Sequence, residues 1–262
     1  MTIARALKKY TEIENDLLLA HVLEKDRVFL LTNPDLVLTN NQIARYTKLC
    51  EKRQLGHPIA YLMGFKWFMN NKFIVNEHTL IPRPETEGLV NMVYEDNKDK
   101  DHLSILDIGT GSGCIAISLK KLFGKSAEIS ASDISTEVLE VAKSNAQNLG
   151  QKINFINSNL FSEITESYDI IVANLPYVYP DVYKKNSENI KYEPKTAILL
   201  PTPDFLSNFI TQAMNHSKKI YLEIDPENVL EIEAASKKNS LNLGFHKDSN
   251  HLIRYAVLTS LF

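Results

Sequence analysis

Cysteine is scarce in this chain. Cys50 and Cys114 are the only two, far apart and outside any C-x-x-C pairing. That spacing excludes a disulfide framework or a cysteine-built zinc site and fits a reducing, cytoplasmic setting. His57, His102 and His216 have no partner at metal-ligand spacing, so no metal is expected. Long apolar runs are also missing: none approaches the ~20 residues that span a bilayer. Residues 1–9 lack the apolar stretch of a signal peptide. The expectation is a soluble protein with no membrane partner. An excess of one charge is absent too. Lys and Arg number 29 against 32 Asp and Glu, for a formal net charge of −3. Bulk nucleic-acid binding, which phosphate neutralisation drives, is therefore not expected, and the balance favours a protein or small-molecule partner. A monomer is the expected state.

What the chain does have is an ordinary globular composition: 262 residues, 44% hydrophobic and 23% charged. This suits one large domain or a large and a small one. Ile13, Leu17, Leu18, Ala20, His21 and Leu23 recur at spacings of three and four, the pattern of an amphipathic helix. Val28 to Leu31 forms a short apolar helix ended by Asn33-Pro34. Thr39, with Gln42 three positions on, predicts a capping box for a helix through about Glu51. Phe65 to Phe68, Asn70-Asn71 and Lys72 to Val75 read as a β-hairpin, since asparagine tolerates the positive φ of tight turns. Trp67 is expected to pack within it. The predicted organisation is a helical domain over 1–64, a hairpin linker over 65–77 and an α/β domain over 78–262.

Beyond Leu103, short apolar strands alternate with helical patterns. Strands are expected at Ser104 to Ile108, Glu128 to Ser132, Ile153 to Ile156, Tyr168 to Val172 and Ile220 to Ile224. Helices are expected at Cys114 to Phe123, Thr136 to Leu149 and Asp204 to Asn215. Short buried strands between helices imply a mostly parallel, doubly wound sheet. Ile253 to Leu261 is a strand with no helix after it, suited to an antiparallel edge or insertion.

Two motifs fall at carboxyl ends of these strands, where open α/β sheets bind ligands. The first is Gly109-Thr110-Gly111-Ser112-Gly113, whose glycines let a ligand approach the main chain. Its spacing departs from the dinucleotide fingerprint, whose third glycine would fall on Cys114, and it lacks the Lys-Ser/Thr of a P-loop. Asp133, about twenty residues on, is placed to accept hydrogen bonds from ribose hydroxyls. The loop alone does not separate a nucleotide from S-adenosylmethionine.

The second motif, Asn174-Leu175-Pro176-Tyr177, suits a planar –NH₂ nucleophile. The Asn174 carbonyl oxygen can accept one of its hydrogens. The Leu175 carbonyl, aimed by the extended conformation that Pro176 imposes, can accept the other. Tyr177 offers a flat face for stacking. Arg83, between two prolines, is a rigidly placed side chain that either approaches a cofactor carboxylate or pins the helix from Glu85 to Tyr94.

These residues, with Pro58 to Gly64, the stretch Ile81-Pro82-Arg83-Pro84-Glu85-Thr86-Glu87, and Tyr192-Glu193-Pro194 with Ala197, resemble the peptide chain release factor N(5)-glutamine methyltransferases over nearly the whole length. The resemblance implies a class I, Rossmann-like methyltransferase fold behind a helical substrate-recognition domain. It implies S-adenosylmethionine contacts from Gly109, Thr110, Gly111, Ser112 and Gly113, at Asp133, around Asn159 and Leu160, and at Asn174. It implies that Asn174, Leu175, Pro176 and Tyr177 grip the glutamine of the Gly-Gly-Gln motif of class 1 release factors. Leu175 stands where proline is usual, Asn159 where aspartate is usual, and His251 where glycine is usual; Glu223-Ile224-Asp225-Pro226 replaces a glycine-containing stretch. Two rivals share the tetrad's chemistry: an adenine N6-methyltransferase of ribosomal RNA or DNA, and a glutamine methyltransferase of a ribosomal protein.

Overall fold

A computed structural model describes residues 1–10 and 14–261, and for residues 186–189 the backbone alone. The chain divides into two compact units, one made of residues 1–65 with 188–192 and the other of 66–187 with 193–262.

The smaller unit packs α1 (Ile3–Lys9), α2 (Asn15–Leu23), α3 (Arg27–Thr32), α4 (Asn40–Gln54) and α5 (Ile59–Met63) around Ile3, Leu18, Leu19 and Tyr46, each wholly buried. The capping box at the start of α4 forms as predicted. The Thr39 hydroxyl accepts from Gln42 N at 3.2 Å, and Gln42 Oε1 accepts from Thr39 N at 2.9 Å. The one-sided apolar stripe expected of α2 is not what the fold uses. Leu18, Leu19, Ala20 and Val22 are all buried, because α2 lies among α1, α3, α4 and α5; a helix surrounded by neighbours buries more than one face. Ile13, the first position of that stripe, lies outside the described residues. In α3 only Leu30 is buried, while Val28 and Leu31 face outward.

The hairpin of β1 (Phe65–Phe68) and β2 (Asn71–Ile74) begins on the last residue of the first segment of the smaller unit and otherwise belongs to the larger one. Its two turn residues are Met69 (φ 45°) and Asn70 (φ 59°), one position earlier than the Asn70-Asn71 pair. Positive φ at both positions is the turn that matches strand twist. Asn71 instead begins β2, and Lys121 Nζ donates to its side-chain oxygen. Trp67 is 60% exposed, contrary to its expected packing, because Phe68 and Phe73 take the buried sites of the hairpin.

The sheet and its helices follow as α6 (Pro84–Glu95), β3 (Leu103–Ile108), α7 (Cys114–Phe123), β4 (Ala127–Asp133), α8 (Thr136–Asn148), β5 (Asn154–Asn157), β6 (Ile170–Ala173), α9 (Pro180–Ile190), α10 (Phe205–Ala213), β7 (Lys219–Glu223), α11 (Val229–Lys238), β8 (Leu241–Lys247) and β9 (Ile253–Ser260). The strand order is β5-β4-β3-β6-β7-β9-β8. All neighbours pair in parallel except β9, which runs against β7 and β8 on either side. The closing strand is thus an insertion and not an edge. The sequence reading passed over β8, although Leu241, Leu243 and Phe245 alternate with Asn242, Gly244 and His246. It also passed over α9 and α11.

Helices cover both faces, and alternate residues of one strand enter two separate cores. Leu103 and Ile105 of β3 join one cluster with α6 and α7, while Leu106 and Ile108 join the other with α10 and α11. That is why these strands read as unbroken apolar runs. Chain order reverses at β3, which has β4 on one side and β6 on the other. Such a switch point opens a crevice at the carboxyl ends of the two flanking strands. Both motifs are found there.

Candidate active site

The glycine-rich loop leaves β3 and is tied to the end of β4. Gly109 N and Thr110 N both donate to Ser132 O at 2.9 Å, and Gly111 N donates to Asp133 Oδ2 at 3.1 Å. Asp133 Oδ1 accepts from Ser135 N, so this carboxylate braces the loop and α8 at once. Burial raises its pKa, against the backbone hydrogen bonds that lower it. Each carboxylate oxygen has two lone pairs, so accepting these amides leaves capacity for a ribose hydroxyl.

Asn145 of α8, wholly buried, fastens the loop from behind. Its Oδ1 accepts from Ile74 N at 2.6 Å, and its Nδ2 donates to Ile74 O and Ser112 O, each at 2.9 Å. Asn145→Ala would strand one backbone N–H and two carbonyls. The expected cost is about 2–4 kcal/mol of stability, measurable by denaturant unfolding. Weaker cofactor binding should accompany it, because the loop loses the tie that Asn145 makes to Ser112 O.

A cavity of about 790 Å³ opens beside the loop. Gly109, Thr110, Gly111, Ser112, Asp133, Asn159, Leu160, Asn174, Leu175, Pro176 and Arg83 all line it. Two residues of the predicted set do not. Gly113 (φ 80°) caps the start of α7, and a Cβ there would lie 2.9 Å from Ile117 Cδ1 and 3.3 Å from Ala142 Cβ, so close helix packing is what needs its glycine. Tyr177 is set behind the lining and does not present the stacking face that was expected. Its hydroxyl donates to Glu223 at 3.4 Å, and its carbonyl accepts from Asn228 Nδ2 at 3.1 Å. Burial, and then the nearby Glu223 charge, hold its phenol strongly protonated.

Among the described residues Asn174 is anchored on one side only. Its Nδ2 donates to Thr86 Oγ1 at 3.1 Å, which leaves Oδ1 as the free acceptor of that amide. Leu175 is 5% exposed and joins the core cluster with Ile108, Leu200 and Leu222. Arg83 lines the cavity and has a buried carboxylate as its partner. Its guanidinium donates to Glu193 Oε1 at 2.5 Å, while Glu193 Oε2 accepts from Ile81 N at 3.1 Å. Glu193 is 5% exposed. The pair pins the segment from Pro194 to Ala197, which forms one wall of the cavity.

Several contributors escaped the motif-based reading. Thr86 and Glu223 sit inside stretches singled out above without a role of their own, and Asn145 carries no local signal. Asp107 stands near the end of β3, two residues before the loop. It is wholly buried, and its Oδ2 accepts from Thr110 Oγ1 at 2.6 Å and Ala116 N at 3.2 Å. Its Oδ1 has no hydrogen-bond partner among the described residues. Burial pushes its pKa up to about 7, offset by those two bonds. A buried carboxylate lacking one partner, beside a glycine cradle, fits a ligand that carries an ammonium group and a ribose. Burial likewise pushes the Cys114 thiol up to about 12, so a thiolate nucleophile is excluded. Among the described residues no cluster of three His, Cys, Asp or Glu could hold a metal, and no helix is long and apolar enough to cross a membrane.

Comparison with known proteins identifies the family. The methyltransferase small domain matches residues 86–189, and the PrmC N-terminal domain matches residues 4–64. A release factor glutamine methyltransferase from Leptospira interrogans is 40% identical over 261 residues, covering 94% of this chain and 90% of that protein. One from Flavobacterium psychrophilum is 37% identical over 235 residues, covering 85% and 82%. In fold alone, the chain is similar to a methyltransferase from Pyrococcus furiosus, with a TM-score of 0.53 at 16% identity over 84% of this chain and 98% of that one. Sharing that degree of identity along nearly its entire length, the chain belongs to the release factor glutamine methyltransferase family.

Proposed function

We propose that the protein transfers the methyl group of S-adenosylmethionine to the side-chain amide nitrogen of the glutamine in the Gly-Gly-Gln motif of class 1 release factors. The observation that carries this is the half-anchored Asn174 amide at the cavity wall, held through Nδ2 and offering Oδ1. S-adenosylmethionine supplies an electrophilic methyl group on a sulfonium. Gly109 to Ser112 would hold the cofactor, with Asp133 available to its ribose and Asp107 to its ammonium.

The remaining work falls to the tetrad. Asn174 Oδ1 and the Leu175 carbonyl accept the two hydrogens of the glutamine –NH₂, which fixes the nitrogen in line for transfer. Positioning of this kind supplies up to ~7–11 kcal/mol of a barrier. A carboxamide nitrogen is a poor nucleophile because its lone pair is delocalised. Two fixed acceptors stabilise the positive charge that grows on its hydrogens as the methyl arrives. No strong base is needed, since the proton can leave afterwards. Leu175 leaves this intact, because its main-chain carbonyl is the acceptor. The helical unit over 1–64 is the natural docking element for the release factor, followed in sequence by the hairpin linker of 65–77 and the catalytic domain of 78–262. A monomeric, cytosolic enzyme goes with this reading.

Labelled S-adenosylmethionine offered with release factor, ribosomal protein and ribosomal RNA in separate reactions tests it. Label should enter the release factor and vanish when the motif glutamine is replaced. Label in RNA alone, or in the ribosomal protein alone, would overturn the assignment.

A further inference from the structure

Asn228 belongs to neither motif, yet its side chain ties down the far end of the tetrad. It closes the short turn Pro226–Asn228 after β7 and is wholly buried. Its Oδ1 accepts from Asp225 N at 2.9 Å, and its Nδ2 donates to Tyr177 O at 3.1 Å. Both partners are main-chain groups, an N–H that only donates and a carbonyl that only accepts. The amide therefore has one satisfactory orientation, and a buried amide cannot turn either end to water instead.

The turn that carries Asn228 is itself fixed to the sheet. Ile224 N donates to Arg254 O at 2.8 Å, and Arg254 Nη1 donates to Asp225 Oδ2 at 2.9 Å. One residue beyond the tetrad, Val178 N donates to Ile198 O at 3.1 Å, and Val178 O accepts from Leu200 N at 2.9 Å. Tyr177 O, Val178 N and Val178 O are consecutive, so together these bonds clamp the chain as it leaves the tetrad. On the entering side the clamp is β6, whose last residue, Ala173, pairs with Ile108 and Leu222. Pro176 fixes its own φ between the two clamps. Leu175 has no such ring, so the direction of its carbonyl depends on both ends of the segment being held.

We propose that Asn228 is a positioning residue for methyl transfer: by holding the Tyr177 carbonyl it sets the direction of the Leu175 carbonyl, the acceptor of one hydrogen of the substrate –NH₂. This rests on the methyl-transfer reading above. With Asn228 shortened, the Tyr177 peptide is free to rotate, and the Leu175 carbonyl swings with it through the stiff link of Pro176. The substrate nitrogen keeps the Asn174 acceptor and loses the alignment of the second one.

The cofactor loop stands apart from this hold, since its own ties run to Ser132 O, Asp133 and Asn145. Loss of the Asn228 donor therefore falls on the chemical step and not on cofactor binding. A side chain that only braced the turn would behave differently. Its removal would lower the melting temperature and leave the turnover of each folded molecule unchanged.

The experiment compares Asn228→Ala and Asn228→Gln with the unaltered enzyme on release factor. Asn228→Ala should lower kcat on the order of 10²-fold, with the dissociation constant for S-adenosylmethionine within about 3-fold. Asn228→Gln, which keeps an –NH₂ donor on a longer stem, should recover most of that loss. The tie itself has a spectroscopic reading. Tyr177-Val178 is the only Tyr-Val pair in the chain, so labelling with ¹³C′-tyrosine and ¹⁵N-valine yields a single carbonyl–amide cross-peak. A carbonyl carbon that loses its hydrogen bond is shielded, so the Tyr177 ¹³C′ resonance should move upfield in Asn228→Ala and return in Asn228→Gln. Undiminished kcat in the alanine variant, equal kcat in the alanine and glutamine variants, cofactor binding lost in proportion to activity, or an unmoved ¹³C′ resonance would each overturn the inference. If Asn228→Ala does not fold, Asn228→Ser, too short to reach the Tyr177 carbonyl, is held to the same criteria. If the unaltered enzyme labels no release factor, the methyl-transfer reading fails by itself, and the ¹³C′ comparison, which needs no substrate, still judges the hold on Tyr177.

Discussion

Asn174→Ala is expected to lower methyl transfer by roughly 10²–10³-fold in kcat while leaving the dissociation constant for S-adenosylmethionine within a few-fold. The substitution removes the one side-chain acceptor that Thr86 holds at the cavity wall. The cofactor loop keeps its own supports, from Ser132 O, Asp133 and Asn145, none of which touches Asn174. Binding and chemistry should therefore separate. Single-turnover labelling of release factor, set beside calorimetric titration of the cofactor, reads the two independently. A variant that transferred methyl within tenfold of the unaltered enzyme would show that Oδ1 is not the acceptor. One that lost cofactor binding in proportion to activity would place Asn174 in the cofactor site instead.

The second large effect is on stability, and its sign opposes simple helix propensity. Gly88 sits within α6, where replacement by alanine ordinarily stabilises by about 0.5–1 kcal/mol. Here a Cβ would fall 2.1 Å from the Tyr255 hydroxyl and 2.8 Å from Tyr255 Cζ. Tyr255 cannot step aside cheaply. It is 4% exposed, and its hydroxyl donates to Glu85 O at 2.7 Å. Overpacking of a filled site costs about 1–3 kcal/mol, and the displaced hydroxyl forfeits about 1 kcal/mol more. Gly88→Ala should thus destabilise by about 2–3 kcal/mol net, lowering the melting temperature by ~5–10 °C for a domain of this size. Calorimetric melting checks it, and a variant melting at or above the unaltered protein would refute the contact. Activity should fall as well, because Thr86 and Glu85 share the first turns of the same helix.

The departures from the family pattern acquire physical accounts in the fold. Leu175 gives up the backbone stiffness of a proline and recovers hold through its side chain, which is buried and stands 3.0 Å from where a Cβ on Gly109 would be. A residue larger than glycine at 109 would have to displace it. Asp225 caps the short turn after β7 and pairs with Arg254, which also reaches Asp248. The residues that replace a glycine-containing stretch thus build an ion-paired brace next to Tyr177. His251 adopts φ 62°, a conformation that favours glycine and costs a side-chain-bearing residue of order 1 kcal/mol. Nothing in the structure explains why Asn159 replaces the usual aspartate.

Local physics wrote a good part of this protein into its sequence. The Thr39–Gln42 capping box, the strands of the parallel sheet, the glycine-rich loop and the tetrad each depend on residues within a few positions of one another, through turn chemistry, hydrogen-bond capacity and periodic burial. Even the one-residue slip at Met69-Asn70 stays within that range. What acts at longer range was not legible. The insertion of β9 between β7 and β8 depends on which strand edges find each other. The exposure of Trp67 depends on which hairpin side chains the helices cover. Arg83 meets Glu193 across 110 residues, and Asn174 meets Thr86 across 88. Local sequence was enough to put the glycine-rich loop and the Asn174–Tyr177 tetrad at the carboxyl ends of neighbouring strands. The way the Asn174 amide faces came from long-range folding, because a two-ended group is oriented by the partners that folding brings to it.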